Sequence, residues 1–103
     1  STAYMITDML KQVITEGTGT RASISGLYQA GKTGTNAYPS DIASKFPSSA
    51  SMDSWFNGYT KHYSVSVWVG YDHQYENGNY LDRYSQSLAS LFYKAAMTYL
   101  SQG

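Results

Sequence analysis

The sequence predicts an α+β domain in which helices flank a mainly antiparallel sheet of three strands. Three observations lead there. Tyr63, Val65, Val67, Val69 and Tyr71 alternate with Ser64, Ser66, Trp68 and Gly70, the period-two signature of a strand. A second β-prone run, Trp55 to Thr60, precedes it with Lys61 and His62 as the whole connection, which is the spacing of a tight hairpin. Apolar residues at helical spacing open and close the chain.

Taken in order, Ser1 to Ile14 is expected to be an amphipathic helix. Met5, Ile6, Met9, Leu10, Val13 and Ile14 fall on one side and Asp8, Lys11 and Gln12 on the other. Ser1 or Thr2 can cap its start, and Gly17 or Gly19 can end it. Thr18 to Gly26 is turn-rich, and Leu27 to Thr35 reads as a strand with one face left bare by glycines. Asn36 to Ser54 is polar, serine-rich and interrupted by Pro39 and Pro47. So long a loop suggests a rim or lid over a site, or else disorder, with a tolerated surface insertion as the plain alternative. After the hairpin, His73 to Leu81 is read as a turn containing Asn77-Gly78-Asn79. Tyr84 to Leu100 forms a second helix whose inner stripe is expected to be Tyr84, Leu88, Leu91, Phe92, Ala95 and Tyr99. Three strands with two such apolar helices leave a sheet edge open and little core for the aromatic content, so the chain is expected to be part of a domain.

Composition narrows the partners. Seven Lys and Arg balance seven Asp and Glu, and charged residues make up 14% of the chain, against about 25% in ordinary soluble domains. That balance suggests surface destined to be covered by other polypeptide. The cations are scattered, so the eleven tyrosines read as packing and groove walls, and nucleic acid is not expected as a partner. No cysteine is present, which removes disulfides and thiolate chemistry. His62 and His73 show no metal-ligand spacing; a hairpin turn and a surface loop are their expected homes, and neither metal nor cofactor is expected. No apolar run approaches the roughly 20 residues of a membrane span, and any targeting or anchoring segment is expected outside these residues.

The chemistry concentrates in Gln29-Ala30-Gly31-Lys32-Thr33-Gly34-Thr35. Glycines allow close approach of the backbone, hydroxyls and amides donate hydrogen bonds, and the lysine supplies charge for an anionic, carbonyl-bearing ligand. Two motifs compete for it. Gly26-Leu27-Tyr28-Gln29-Ala30-Gly31-Lys32-Thr33 fits the phosphate-loop pattern of a nucleotide-binding protein letter for letter. That motif requires a buried strand before Gly26 and a helix starting at Lys32-Thr33, so that helix amides meet the phosphates. Arg21 to Ser25 is weak as a buried strand, and Gly34 to Pro39 is poor as a helix start. The other reading is the Lys-Thr-Gly element of serine acyltransferases that react with β-lactams.

The second reading gains from residues elsewhere. Thr7-Asp8-Met9-Leu10 with Val13, Gly17-Thr18-Gly19, Ala30 to Thr35, Trp55 to Thr60 and Val67-Trp68-Val69-Gly70-Tyr71-Asp72 occur in one order and spacing. On these residues the chain resembles, over essentially its whole length, the end of the transpeptidase domain of class A (bifunctional) penicillin-binding proteins of Gram-positive bacteria, streptococcal members especially. The resemblance implies part of the penicillin-binding-protein/β-lactamase-like fold. It also implies a peptidoglycan D,D-transpeptidase that cross-links stem peptides ending in D-Ala-D-Ala through a serine acyl-enzyme. β-Lactam antibiotics would be trapped at that stage. Lys32 would supply positive potential near the substrate carboxylate and the catalytic serines; a plain surface lysine is the alternative. Thr33 and Thr35 would present hydroxyls to a terminal carboxylate. The Thr35 N–H would be an oxyanion-hole donor, and Gly34 would keep the strand face open for the ligand. Gly31 is assigned packing and no contact with ligand.

The remaining parts are not in this sequence. No serine is followed three positions later by lysine, Ser90 and Lys94 being one step too far apart, and no Ser-x-Asn occurs. Tyr75-Glu76-Asn77 imitates a variant of that second motif but follows the lysine strand instead of preceding it, so it reads as turn. The nucleophile is therefore expected on an N-terminal remainder of the same polypeptide, carrying Ser-x-x-Lys and Ser-x-Asn. The family also implies an upstream glycosyltransferase domain and anchoring at the extracytoplasmic face of the plasma membrane. A β-lactamase or β-lactam sensor of the same fold is the nearest alternative, against which the paired Gly-Tyr-Thr and Val-Trp-Val-Gly-Tyr-Asp segments argue. A non-enzymatic wall-binding module is a more distant one.

Overall fold

A computed structural model describes residues 1–76 and 78–102. Helix α1 spans Thr2–Thr15, and the Ser1 hydroxyl caps it by accepting from the Tyr4 N–H at 3.2 Å. It ends where the N–H groups of Glu16 and Gly17 turn back to the Gln12 and Val13 carbonyls, and Gly19 N–H adds a further bond to Val13. A 3-10 turn at Thr20–Ala22 leads to the sheet. Strands β1 (Ala30–Asn36), β2 (Asp53–Tyr59) and β3 (Ser64–Gly70) lie in sequence order, each pair antiparallel. Short helix α2 (Arg83–Gln86) and helix α3 (Leu88–Ser101) complete the order. The architecture is α+β, with the three-stranded antiparallel sheet and flanking helices that the sequence predicts.

The hairpin behaves as its spacing requires. Thr60 N–H donates to the Tyr63 carbonyl, and the Thr60 hydroxyl accepts from the His62 and Tyr63 amides, so four residues close the turn. Directly opposed residues of an antiparallel pair share a face. Gly31, Gly58 and Val65, then Thr33, Phe56 and Val67, then Thr35, Ser54 and Val69 line the inner face. Lys32, Asn57 and Ser66, then Gly34, Trp55 and Trp68, then Asn36, Asp53 and Gly70 line the outer one.

The core sits between the inner face and α3. Phe56, Tyr93 and Met97 are its large, fully buried side chains, joined by Ile14, Ala22 and Ala89. Phe56 and Tyr93 pack with ring centroids 4.5 Å apart. Tyr93 donates from its hydroxyl to Gln29 Oε1 at 2.8 Å, and Gln29 Nε2 donates to the Ala22 carbonyl at 2.8 Å. Burial of the phenol pushes its pKa up from 10.0 to about 12. Tyr93 fits because Gly58 is bare: a Cβ there would stand 2.4 Å from the tyrosine oxygen.

Several expectations are corrected. The inward face of α3 is Ala89, Ser90, Tyr93 and Met97, whereas Tyr84, Leu91, Phe92 and Tyr99 are exposed. Apolar residues occur on both sides of this helix, and close contact with the bare Gly58 selects the side with small residues around one tyrosine. On α1, Met5, Ile6 and Met9 are exposed; Thr7, Leu10, Lys11 and Ile14 turn inward, with Thr7 Oγ1 2.8 Å from the Tyr59 hydroxyl. The final helix is divided at Ser87, whose hydroxyl bonds back to the Tyr84 carbonyl, a local bond that competes with regular helix. Asp82 caps α2, and the amide it accepts from, Ser85, holds its carboxyl below the ordinary range.

Strand β1 begins at Ala30 rather than Leu27, because Gln29 turns into the core, and it runs on through Asn36. Strand β2 starts at Asp53, so the connection is shorter than 36–54, and it is not structureless. It contains a 3-10 turn at Ala43–Lys45; Tyr38 stacks on Phe46 at 3.7 Å and donates to the Asn79 carbonyl at 2.8 Å. Burial raises the Tyr38 pKa, with the neighbouring Tyr71 adding to it. Between Tyr71 and Asp82, Glu76 N–H and Asn79 Nδ2 both donate to the His73 carbonyl, while Ser51 and Leu81 form an isolated bridge. Of the expected turn, and of Tyr75-Glu76-Asn77, residue Asn77 lies outside the described residues.

Candidate active site

The lysine strand is an edge strand: among the described residues β1 pairs only with β2. Two hydrogen bonds fix which peptide groups face the open side. The Asn36 carbonyl accepts from Met52 N–H at 2.8 Å, so the main chain of Asn36 faces the β2 side. The Thr33 carbonyl accepts from Lys32 Nζ at 3.2 Å, a partner outside the ladder. Peptide groups of successive residues point to opposite edges of a strand. Both observations therefore assign the N–H and C=O of Thr33 and Thr35 to the open edge.

The predicted residues lie around that edge. Lys32 is exposed; its Cα is on an outer-face position, and its ammonium curls back to the Thr33 carbonyl and to Thr33 Oγ1 at 3.4 Å. Thr33 is half-buried, and its hydroxyl also lies 3.2 Å from Thr18 Oγ1. Thr35 is exposed on the same face as Thr33. A groove of about 340 Å³ runs beside Thr33 and is lined also by Thr18, Arg21, Ser87 and Ser90. Ser90 is no spare nucleophile there, because its hydroxyl donates to the Ser87 carbonyl at 2.8 Å.

The two glycines of the strand differ. A Cβ on Gly31 would meet the Phe56 ring at 2.9 Å and the Asn57 carbonyl at 3.0 Å, so core packing requires it. A Cβ on Gly34 would meet only Trp55 Cβ, at 3.7 Å, an ordinary contact. Packing within these residues does not explain glycine at that position.

Sequence reading counted Gln29 in the ligand-facing stretch, and it missed Asp53 altogether. Gln29 ties the start of β1 to Tyr93 and to the 3-10 turn. At the other end, Asp53 is 6% exposed and accepts from Asn36 Nδ2 at 2.9 and 3.2 Å, from Trp68 Nε1 at 3.1 Å and from Trp55 Nε1 at 3.4 Å. Trp68 in turn lies over Gly70, where a Cβ would come within 2.4 Å of the indole. An aspartate two residues before a tryptophan was the available signal; without the strand register it could not be separated from the preceding loop.

The phosphate-loop alternative fails on geometry. Lys32 and Thr33 lie within β1, and the strand continues to Asn36 with no helix at its end. The sheet is antiparallel throughout. His62 sits exposed in the β2–β3 turn and His73 in the bend after β3. Among the described residues, no group of three or more His, Asp and Glu converges to hold a metal, and no helix is long and apolar enough to cross a membrane.

Comparison with known proteins identifies the family. Residues 1–98 match the family model described as the penicillin binding protein transpeptidase domain. Penicillin-binding protein 1A of Streptococcus pneumoniae is 43% identical over 100% of this chain, which covers 14% of that protein. Penicillin-binding protein 1A of Streptococcus oralis is 39% identical over 99% of the chain and 16% of the relative. Penicillin-binding protein 1A/1B of Bacillus subtilis is 45% identical over 67% of the chain and 8% of the relative. The chain thus spans about one seventh of the length of the two streptococcal relatives. Among solved structures, the transpeptidase domain of FtsI4 D,D-transpeptidase from Legionella pneumophila aligns with a TM-score of 0.56 at 28% identity, covering 95% of this chain and 35% of that one. The aligned part of the streptococcal relatives lies toward the end of their transpeptidase domain. The chain belongs to the penicillin-binding protein transpeptidase domain family.

Proposed function

We propose that these residues are the C-terminal part of one serine D,D-transpeptidase domain of peptidoglycan synthesis, and that they supply one wall of its active site. The observation that carries the reading is the open edge of β1. There the Thr33 and Thr35 main-chain groups, two hydroxyls and the Lys32 ammonium lie along one strand, with only Trp55 Cβ, at 3.7 Å, within reach of a Cβ added at Gly34. A Thr35 N–H turned to the open edge would suit an oxyanion donor. Thr33 and Thr35 hydroxyls on one face suit a terminal carboxylate, and Lys32 supplies the charge that attracts it.

In this scheme a serine on the N-terminal remainder, within Ser-x-x-Lys, attacks the carbonyl of the penultimate D-Ala. The peptide C–N bond breaks and the terminal D-Ala leaves with a proton. An amine of a neighbouring stem peptide then attacks the ester, releasing the serine and forming the cross-link. A Ser-x-Asn on the same remainder completes the proton path. The Thr35 N–H and the amide of the nucleophilic serine would hold the developing oxyanion, an interaction worth about 10²–10³ in rate for one donor. β-Lactams would stop at the ester. The parent protein is placed at the extracytoplasmic face of the bacterial membrane, where the cross-linked polymer lies. The loop after β1 would shape access to the cleft, a role suggested by its length directly after the lysine strand; shortening it should change the β-lactam acylation rate, and an unchanged rate would remove it from that role.

The test is labelling of the intact parent protein with a fluorescent penicillin. Covalent labelling is expected, and Lys32→Ala should lower the acylation rate sharply while the melting temperature holds. A near-normal rate would take Lys32 out of the site. Absence of labelling together with stabilisation by nucleotide would overturn the acyltransferase reading.

A further inference from the structure

We propose that Asp53 is a positioning residue for the Thr35 amide, acting through Asn36 and Trp55. The inference rests on the transpeptidase reading above and adds to it a residue from outside the lysine motif. Asp53 lies directly across the ladder from Asn36, the residue that follows Thr35. Its carboxylate is nearly sealed from solvent, and all three of its partner groups are neutral N–H donors, an amide and two indoles. A carboxylate held without a countercharge is costly unless its hydrogen bonds are met, so these donors are held as firmly as they hold it.

The consequence falls on β1. Asn36 is fixed twice, by its side chain on Asp53 and by its carbonyl on Met52 N–H. Trp55, the second partner, stands opposite Gly34 and is the nearest neighbour on that side. Thr35 therefore sits between a residue clamped from across the ladder and a glycine backed by a tethered indole. Gly34 is where this edge strand could most easily change its torsions. Holding Asn36 and Trp55 removes that freedom and keeps the Thr35 N–H turned to the open edge. The clamp lies on the outer face and the Thr35 side chain on the inner one. Asp53 thus acts on direction and makes no contact with the reacting groups.

The experiment uses the full-length parent protein and β-lactam acylation, with the noncovalent affinity separated from the acylation rate constant. Asp53→Asn keeps the shape but takes away an acceptor and the charge; Asn36→Ala, at an exposed position, opens the clamp from the other side. Each should lower the rate constant by about tenfold, less than the 10²–10³ of a lost oxyanion donor, with affinity changed less than about twofold. The reciprocal pair Asn36→Asp with Asp53→Asn, which restores an amide–carboxylate contact across the strands, should recover part of that loss. A purely structural aspartate would give lower stability and less active protein, with a normal rate constant for each folded molecule. That result in both single variants overturns the proposal. Should Asp53→Asn not fold, Asn36→Ala decides alone, a normal rate constant overturning the proposal and a tenfold loss supporting it. A wild-type protein that penicillin fails to label would instead sink the transpeptidase reading itself, so the two failures are distinct.

Discussion

Replacing Gly58 by alanine tests whether α3 and the sheet are held at a fixed distance. The added methyl would stand 2.4 Å from the Tyr93 oxygen and 2.5 and 2.6 Å from two ring carbons, all well inside contact distance. Tyr93 has little room to retreat. It is fully buried, packed on Phe56 at 4.5 Å and tied to Gln29 at 2.8 Å. Overpacking of this kind costs about 1–3 kcal/mol. If the ring shifts, the buried Gln29 oxygen loses its donor, which costs about 1–3 kcal/mol more. Loss of glycine's unfolded-state freedom offsets about 0.5–1 kcal/mol. A net destabilisation of about 3 kcal/mol follows, or a drop in Tm of about 6–12 °C in a domain of 150–250 residues. Thermal unfolding of the purified transpeptidase domain measures it. Gly34→Ala is the internal control, since its methyl meets only Trp55 at 3.7 Å and should not lower Tm, the lost unfolded-state freedom raising it by about 1–4 °C. A Gly58→Ala domain melting within about 2 °C of the parent, against the shift set by that scaling, would refute the packing argument.

Other outcomes follow from the same geometry. On the transpeptidase reading, Gly34→Ala should fold normally yet acylate more slowly with β-lactam, its methyl entering space that this reading reserves for ligand; an unchanged rate would show that space to be unused. Lys32→Ala should slow acylation with Tm preserved, read by fluorescent penicillin labelling. Tyr93 adds an alkaline limb to stability. Its folded pKa is raised to about 12 from 10.0, so the contribution is complete below pH 10 and is lost as pH climbs toward 12. Tyr93→Phe should flatten that part of the stability profile, measured by denaturant unfolding between pH 9 and 12, the window set by these two values.

What the sequence made legible was local. Alternation between Tyr63 and Tyr71 and the short gap at Lys61 and His62 sufficed for the hairpin, because register there is set by the turn. Lys32 to Thr35 could be placed on a strand because no helix signal follows them. The face of α3 was not legible. Leu88, Leu91 and Phe92 make as apolar a stripe as Ala89, Tyr93 and Met97, and the choice depends on Gly58, thirty-five residues away from Tyr93 in the chain. Asp53 stayed hidden for a similar reason. Its donors come from β1, β2 and β3 at once, and a pairing known only after the strands are aligned has no signature in one linear segment.

The stacked pair Tyr38 and Phe46 has a consequence for how this family can vary. The two rings close the connection after β1 at its base, and Tyr38 is moored to Asn79 besides. Residues 39–45 therefore hang from a fixed neck, and changes of length within them are not transmitted to Asn36 or Asp53. Lengthening a closed loop is inexpensive, about 0.6 kcal/mol for each doubling. Insertions, deletions or a grafted epitope between Ser40 and Ser44 should thus be absorbed above the neck, while the same changes between Asn36 and Tyr38 would pull on the lysine strand.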